Sequence, residues 1–474
     1  LAAVRLTGVR NAVGLGSPRE PGRWGPTVGL EGRIDGGRYG RAWASPLVDL
    51  ATVGFVEEEW LLAGDAVTYD FRPGCGPSVD GLWDTAATGT VQYRTRVVVR
   101  RPTNPGRFNG TVVVSWNNVS AGFEILQWEG PETWAGGYVT IGVSAQRVGI
   151  HGYKADPRGL VAWDPERYGA LDIPSDSASY DIFATVIGLV APGRSGGELL
   201  PTGFDVQRVI ATGASQSAMR LHTYVNGVHP HVGTVDGFLL DVYGGTGAPI
   251  ARRPADPALA LYPAGRLRDD TGVYIMVTNS ETEAVSYASQ RRPDDDRFAY
   301  WEIAGMAHGG ASGLVTAAKN TRDWGFPLEP PVDRPVDLVP NELDKQPVED
   351  ASLHRMHRWL VDGVPPPSVR PIELQGEPPE IVRDEHGIAR GGLRLPQVEV
   401  PTAVRSGLND GPRMVQLVGS KRDFTPEELR ALYPDHATYV EQFRAAAVAA
   451  ATAGYLLERD VGAMVREAEA SLLP

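Results

Sequence analysis

Val209-Ile210-Ala211-Thr212-Gly213-Ala214-Ser215-Gln216-Ser217-Ala218-Met219-Arg220-Leu221 is the stretch on which the fold turns. Its first half is apolar, then small, and reads as a strand buried on both faces. Its second half reads as the start of a helix. Between them stands Ser215, with Gly213 and Ser217 two positions to either side. A chain that passes from strand to helix within one residue nearly touches itself, so small residues are required at both places. Gly213 satisfies the first, and Ser217 stands where a second glycine is usual. Such a turn strains the serine's backbone. It also puts the serine at a helix N-terminus, where the N–H of Gln216 is free to receive an oxyanion.

Outward from this turn, further short apolar runs read as strands buried on both faces: Thr111–Trp116, Tyr138–Val143, Gly237–Val242, Val273–Thr278 and Phe298–Ala304. Between two of them, Tyr180–Val190 is apolar at Ile182, Phe183, Val186, Ile187 and Val190, a helical period. Strands alternating with helices predict a mainly parallel sheet covered on both faces. Residues 1–100 are β-rich, with Val91–Val99 as the clearest strand. Val364-Pro365-Pro366-Pro367 is a stiff break, and Thr425-Pro426-Glu427-Glu428 has the form of a capped helix start, with Phe424 and Leu429 placed as a hydrophobic staple.

A serine hydroxyl is a poor nucleophile without a base. In a nucleophile elbow of this kind the acid and then the histidine follow at the ends of later strands. The run ending at Thr278 leads into Asn279-Ser280-Glu281-Thr282-Glu283, and the run ending at Ala304 leads into Gly305-Met306-Ala307-His308-Gly309-Gly310. His308 is the candidate general base. Glu283 is the first choice for the acid that orients it, Glu281 the runner-up and Asp241 a third option; spacing leaves the three open. A second oxyanion donor is expected from the turn-rich loop after Thr111–Trp116, at Asn117, Asn118 or Val119. Trp116, Phe123 and Trp128 crowd the same region and are candidate walls of an apolar pocket, with core packing as the plainer reading for them as for Trp134 and Trp163.

Phe108–Ser120, Gly142–Gly149, Asp164–Gly169, Ser215-Gln216-Ser217, Ser280–Glu283, Trp301–His308 and Gly391–Pro396 together resemble motifs of the bacterial α/β-hydrolase-domain family. The likeness runs from about 90 to 425, with departures at Ser115 and Asn117. It implies an α/β-hydrolase fold of serine-esterase type. The expected organisation is an N-terminal β-rich extension (1–100), a catalytic core (101–365) and a C-terminal extension (366–474). The last is mostly helical after 425 and a candidate contributor to a lid.

Composition narrows the function. The 474 residues carry 58 acidic and 45 basic side chains, a net charge of −13, which disfavours nucleic acid and anionic lipid as partners. No apolar run is long enough to span a bilayer; the greasiest, Ala445–Leu457, reads as a packed helix. The lone Cys75 excludes an intrachain disulfide and a cysteine zinc site. His229-Pro230-His231 and the pair His354 and His357 lack the company of a metal site, and Gly14-Leu15-Gly16 lacks the strand–helix context of a dinucleotide site. No metal or organic cofactor is expected. The expected activity is hydrolysis of a small carboxylic ester through Ser215, His308 and Glu283. The alternatives are acyl transfer by the same residues and a catalytically silent binding protein. The chain opens on Leu1, which leaves cytoplasmic and secreted locations both open, and oligomeric state is not legible.

Overall fold

The computed structural model describes residues 29–44, 46, 48–191, 199–251, 261–309 and 338–471; Gly14-Leu15-Gly16 and Gly310 lie outside them. Among the described residues nine strands form one sheet. They are β1 (Gly29–Arg33), β2 (Phe55–Phe71), β3 (Thr85–Pro102), β4 (Thr111–Trp116), β5 (Val139–Val143), β6 (Arg208–Ala214), β7 (Gly237–Asp241), β8 (Tyr274–Ser280) and β9 (Phe298–Ile303). Their spatial order is β1-β2-β3-β5-β4-β6-β7-β8-β9. From β5 to β9 every neighbouring pair is parallel. β1, β2 and β3 are antiparallel, and β3 joins β5 antiparallel through Val97–Arg100.

The apolar runs form the central strands because each has two cores to serve. Side chains alternate across a sheet, so consecutive residues of one strand enter opposite layers. Val112 and Val114 belong to one core and Val113 to the other; Val209 and Ala211 oppose Ile210; Phe238 and Leu240 oppose Leu239. The first layer is covered by α1 (Ser179–Val190), where Phe183 and Ile187 are wholly buried. The second is covered by α3 (Gln346–Asp362) and the C-terminal helices α4 (Pro426–Leu432), α5 (His436–Ala453) and α6 (Glu458–Ala470), with Met356, Phe443 and Val465 in one cluster. A further helix, α2 (Gln216–Thr223), follows β6.

The helical period at 180–190 names the residues that face the sheet, yet α1 is buried nearly all round. The reason is the β2–β3 hairpin, whose strands of 17 and 18 residues reach over it. Asp181 on α1 accepts from the N–H of Val67 at 2.8 Å and so ties hairpin to helix. Position 100 falls inside β3, so the sheet is continuous from the N-terminal stretch into the core. At the other end Thr425 and Glu428 form the reciprocal cap: Thr425 Oγ1 accepts from Glu428 N at 3.2 Å, and Glu428 Oε2 from Thr425 N at 2.7 Å. Phe424 and Leu429 are buried in the second core. Among the described residues no helix is long and apolar enough to cross a membrane.

His229 follows α2 and a π-helical turn at Tyr224–Val228. Its ring lies against Tyr224 and Phe238, and neither nitrogen has a hydrogen-bond partner. Burial, with the Arg268 charge as a lesser cause, pushes its pKa down to about 4. Below pH 6.5 the unfolded chain therefore binds this proton while the folded chain does not, so stability falls as pH drops. By pH 5 the loss from this residue is about 2 kcal/mol. Urea denaturation of wild type and His229→Leu at pH 7 and pH 5 is expected to show a smaller acid loss in the variant.

Candidate active site

Parallel strands present their carboxyl ends along one edge, where open α/β sheets place ligands. Here that edge carries the loops after β4, β6, β7, β8 and β9, and each of them supplies a residue singled out in the sequence. β6 passes into α2 through Ser215 alone, at φ 55° and ψ −117°. A non-glycine residue at positive φ costs on the order of 1–3 kcal/mol and persists only where its surroundings fix it. They do so from four sides. Ser215 N donates to Asp241 O at the end of β7 at 3.0 Å. Ala214 O accepts from Asn118 Nδ2 at 2.9 Å, and Ala214 N donates to Gln127 Oε1 at 3.1 Å. Ser217 Oγ does both, accepting from Ala214 N and donating to Ala214 O, each at 2.9 Å. The residue that replaces the usual glycine thus closes the turn with its hydroxyl. A Cβ at Gly213 would lie 3.0 Å from Ser217 C and Oγ, tight enough that the turn would have to give by a few tenths of an ångström.

Of the three candidate acids, one meets His308. Glu283 Oε1 lies 2.7 Å from His308 Nδ1. Its other oxygen accepts from Ser280 N at 3.1 Å and Ser280 Oγ at 2.6 Å, which fixes the carboxylate's plane. A carboxylate only accepts, so the proton of this contact is carried by Nδ1. Glu281, two residues away, is wholly buried and otherwise engaged: Oε2 accepts from Gly305 N at 2.7 Å, and Oε1 from Arg383 Nη2 at 2.6 Å and Ser406 Oγ at 3.0 Å. Asp241 accepts from Thr278 Oγ1 at 2.9 Å and Lys345 Nζ at 3.0 Å. A small cavity behind this edge is lined by Asp241, Ser280, Met306 and Lys345 among others.

The loop after β4 separates its three candidate oxyanion donors. Asn117 N is spent on Val143 O at 3.3 Å and Asn118 N on Ile125 O at 3.1 Å. Val119 N reaches only the side-chain oxygen of Gln216, at 3.5 Å. The Asn117 and Asn118 side chains hold the loop in place. Asn118 Oδ1 accepts from Ser120 N at 2.9 Å, and Asn117 Nδ2 donates to Glu124 Oε2 at 3.2 Å. Glu124 in turn pairs with Arg96 of β3 at 2.8 Å, both wholly buried, and Arg96 also pairs with Glu59 of β2. A buried charge network therefore joins the N-terminal hairpin to this loop.

The three candidate pocket residues occupy different places. Trp116 is 0% exposed, packed at a tilt against Phe183 and Tyr180, and is linked to the site through Gln146, whose Oε1 accepts from both Trp116 Nε1 at 3.0 Å and Gln216 Nε2 at 3.1 Å. It is a core residue because the last position of β4 points into the first layer. Phe123 packs edge-on against Trp43 at 5.6 Å, with Arg158 over its ring. Trp128 sits at φ 63° against the second core, its indole N–H buried without a hydrogen-bond partner. Gln146 and Gln127 were missed in the sequence; Gln146 had a signal, since it follows β5 at the same sheet edge. Among the described residues no three or more His, Cys, Asp or Glu side chains gather as a metal site would. His354 pairs with Glu132, His357 with Thr111 and His231 with Thr85.

Sheet order, elbow and the placing of residues along one edge define an α/β hydrolase. The sequence pattern of the family described as "Alpha/beta hydrolase domain" matches residues 30–466, and the chain belongs to that family. No curated protein gives a significant match to the sequence. Among solved structures it is similar to esterase Est22, with 11% identity and a TM-score of 0.24, over 49% of this chain and 66% of that one. It is also similar to a brefeldin A esterase, a bacterial homologue of human hormone-sensitive lipase, with 13% identity and a TM-score of 0.21, over 42% of this chain and 44% of that one. A putative dienelactone hydrolase from Klebsiella pneumoniae subsp. pneumoniae shows 13% identity and a TM-score of 0.25, over 63% of this chain and 98% of that one. The chain thus spans less than two thirds of the length of each of the first two.

Ser217→Ala removes two hydrogen bonds from Ala214 while each of its groups keeps another partner, so a loss of about 1 kcal/mol is expected. Ser217→Val also crowds Gly213 and is expected to cost about 1–3 kcal/mol more, both read by urea denaturation.

Proposed function

We propose that the protein hydrolyses small carboxylic esters through Ser215, His308 and Glu283. The observation that carries this reading is the 2.7 Å contact between His308 Nδ1 and Glu283 Oε1, on the sheet edge where Ser215 stands at φ 55°. With Nδ1–H given to Glu283, Nε2 is the atom that takes a proton, and Ser215 Oγ is the nucleophile it serves. Ser215 Oγ attacks the ester carbonyl and its proton passes to His308. The oxygen of the tetrahedral adduct accepts from the N–H of Gln216 and, as the second donor, Val119. The long bond from Val119 N to the Gln216 side chain is one an anionic oxygen displaces readily. Collapse breaks the bond to the alcohol oxygen, which leaves with the proton from His308. Water then attacks the acyl-enzyme by the same route and frees the acid. Glu283 holds the ring and offsets its charge at each protonation.

The test is turnover of p-nitrophenyl acetate by the pure protein. Ser215→Ala is expected to abolish it and to abolish labelling by a fluorophosphonate. Glu283→Gln, which leaves the ring without its anionic partner, is expected to lower kcat by about 10⁴-fold. Wild-type rates in either folded variant overturn the assignment. A protein that neither turns over an ester panel nor takes the label is the silent binder instead. Transfer of the acyl group to an added alcohol in preference to water identifies a transferase.

A further inference from the structure

The stretch 304–309, described after β9 and carrying His308, is made mostly of small residues, and such a segment does not hold a ring in place by its own packing. Its backbone is instead held by bonds from several other segments. Gly305 N donates to Glu281 Oε2 at 2.7 Å, and Met306 O accepts from Glu281 N at 3.0 Å. Gly305 O accepts from Asn341 Nδ2 at 2.6 Å. His308 N donates to Thr282 Oγ1 at 3.0 Å, and Gly309 N to Leu417 O at 2.8 Å. Glu281 thus grips the loop with both its main chain and its side chain.

Glu281 is wholly buried, and a buried carboxylate needs a counter-charge and hydrogen bonds to stay ionised and still. Both come from the segment between the Pro365–Pro367 break and α4. Arg383 Nη2 donates to Glu281 Oε1 at 2.6 Å and to Ser406 Oγ at 3.0 Å; Ser406 Oγ donates to Glu281 Oε1 at 3.0 Å. The same segment grips at neighbouring points. Gly407 O accepts from Thr282 Oγ1 at 2.7 Å, and Ser406 O from Asn341 Nδ2 at 3.1 Å. Leu393 extends the sheet beside β9, giving its N–H to Glu302 O at 2.6 Å and taking Ala304 N at 3.0 Å.

We propose that Arg383 and Ser406 are positioning residues for His308, acting through Glu281, so that the C-terminal extension sets the geometry of the general base. The inference rests on the reading of His308 given above. The arrangement divides the two neighbouring glutamates by task. Glu283 holds the imidazole ring, and Glu281 holds the backbone from which the ring hangs. Displacing a catalytic group by about 1 Å costs up to about 100-fold in rate, so the clamp matters to turnover more than to substrate affinity.

The experiment compares kcat and KM of wild type, Arg383→Met, Arg383→Lys and Ser406→Ala on p-nitrophenyl acetate, with thermal unfolding of each. Arg383→Met is expected to lower kcat about 10–100-fold with KM little changed, the signature of an interaction realised in the transition state. Arg383→Lys, which can still reach the carboxylate, is expected to recover most of it, and Ser406→Ala to lose less. Should Arg383→Met fail to fold, because it strands a buried charge, Ser406→Ala decides by the same readout. Wild-type kcat in the folded variant, a change confined to KM, or a loss that lysine leaves uncorrected overturns the proposal. Ser215→Ala measured alongside keeps the two readings apart: turnover that survives there removes the mechanism itself, whereas its loss there with a normal Arg383→Met removes the clamp alone.

Discussion

The parallel pairing of β6 with β4 on one side and β7 on the other fixes where Ser215 stands, and the rest of the site is arranged around that turn. A strand held by two neighbours cannot yield, so the change of direction at its end falls on a single residue. The strain is met by bonds from the loops after two other strands: Asn118 and, further along, Gln127 beyond β4, and Asp241 at the end of β7. Each of these loops is tied to the elbow by the same contacts that relieve it. Sheet pairing, backbone strain and the spacing of candidate groups are therefore one structural problem with one solution.

Two segments far apart in the chain act on this edge. The β2–β3 hairpin reaches the loop after β4 through Arg96, Glu59 and Glu124. The C-terminal segment reaches the loop after β9 directly through Leu417 and, by way of Glu281, through Arg383 and Ser406. Both contacts use buried carboxylates, and losing the last counter-charge of such a group costs about 3–5 kcal/mol. Such pairs add little net stability. Their value lies in geometry, because a buried carboxylate with two or three donors has one orientation.

Much of the fold was legible because its signals are local. Continuous apolar runs mark strands covered on both faces, and the runs at 111–116, 208–213 and 298–304 became β4, β6 and β9. The Thr425–Glu428 cap was readable for the same reason, being made within four residues. The burial of α1 nearly all round was not, since it depends on a hairpin far away in the chain, whose Val67 lies 114 residues from Asp181. Nor was the place of Trp116, an aromatic beside a candidate site whose side chain is turned inward by the pleat of its strand.

The sequence by itself determined the strand–serine–helix turn, the order serine, acid, histidine along the chain, and the edge at which these residues emerge. It could not divide Glu281, Glu283 and Asp241, which are equally acidic and lie at strand ends. The tertiary structure divided them by partner. Lys345 lies 3.0 Å from Asp241 and Arg383 lies 2.6 Å from Glu281, so each of those carboxylates is engaged by a cation brought from a hundred residues downstream. Glu283, anchored by its neighbour Ser280, is the one left facing His308. A carboxylate's role is set by the donors around it, and donors that arrive by long-range folding leave no mark in the local pattern.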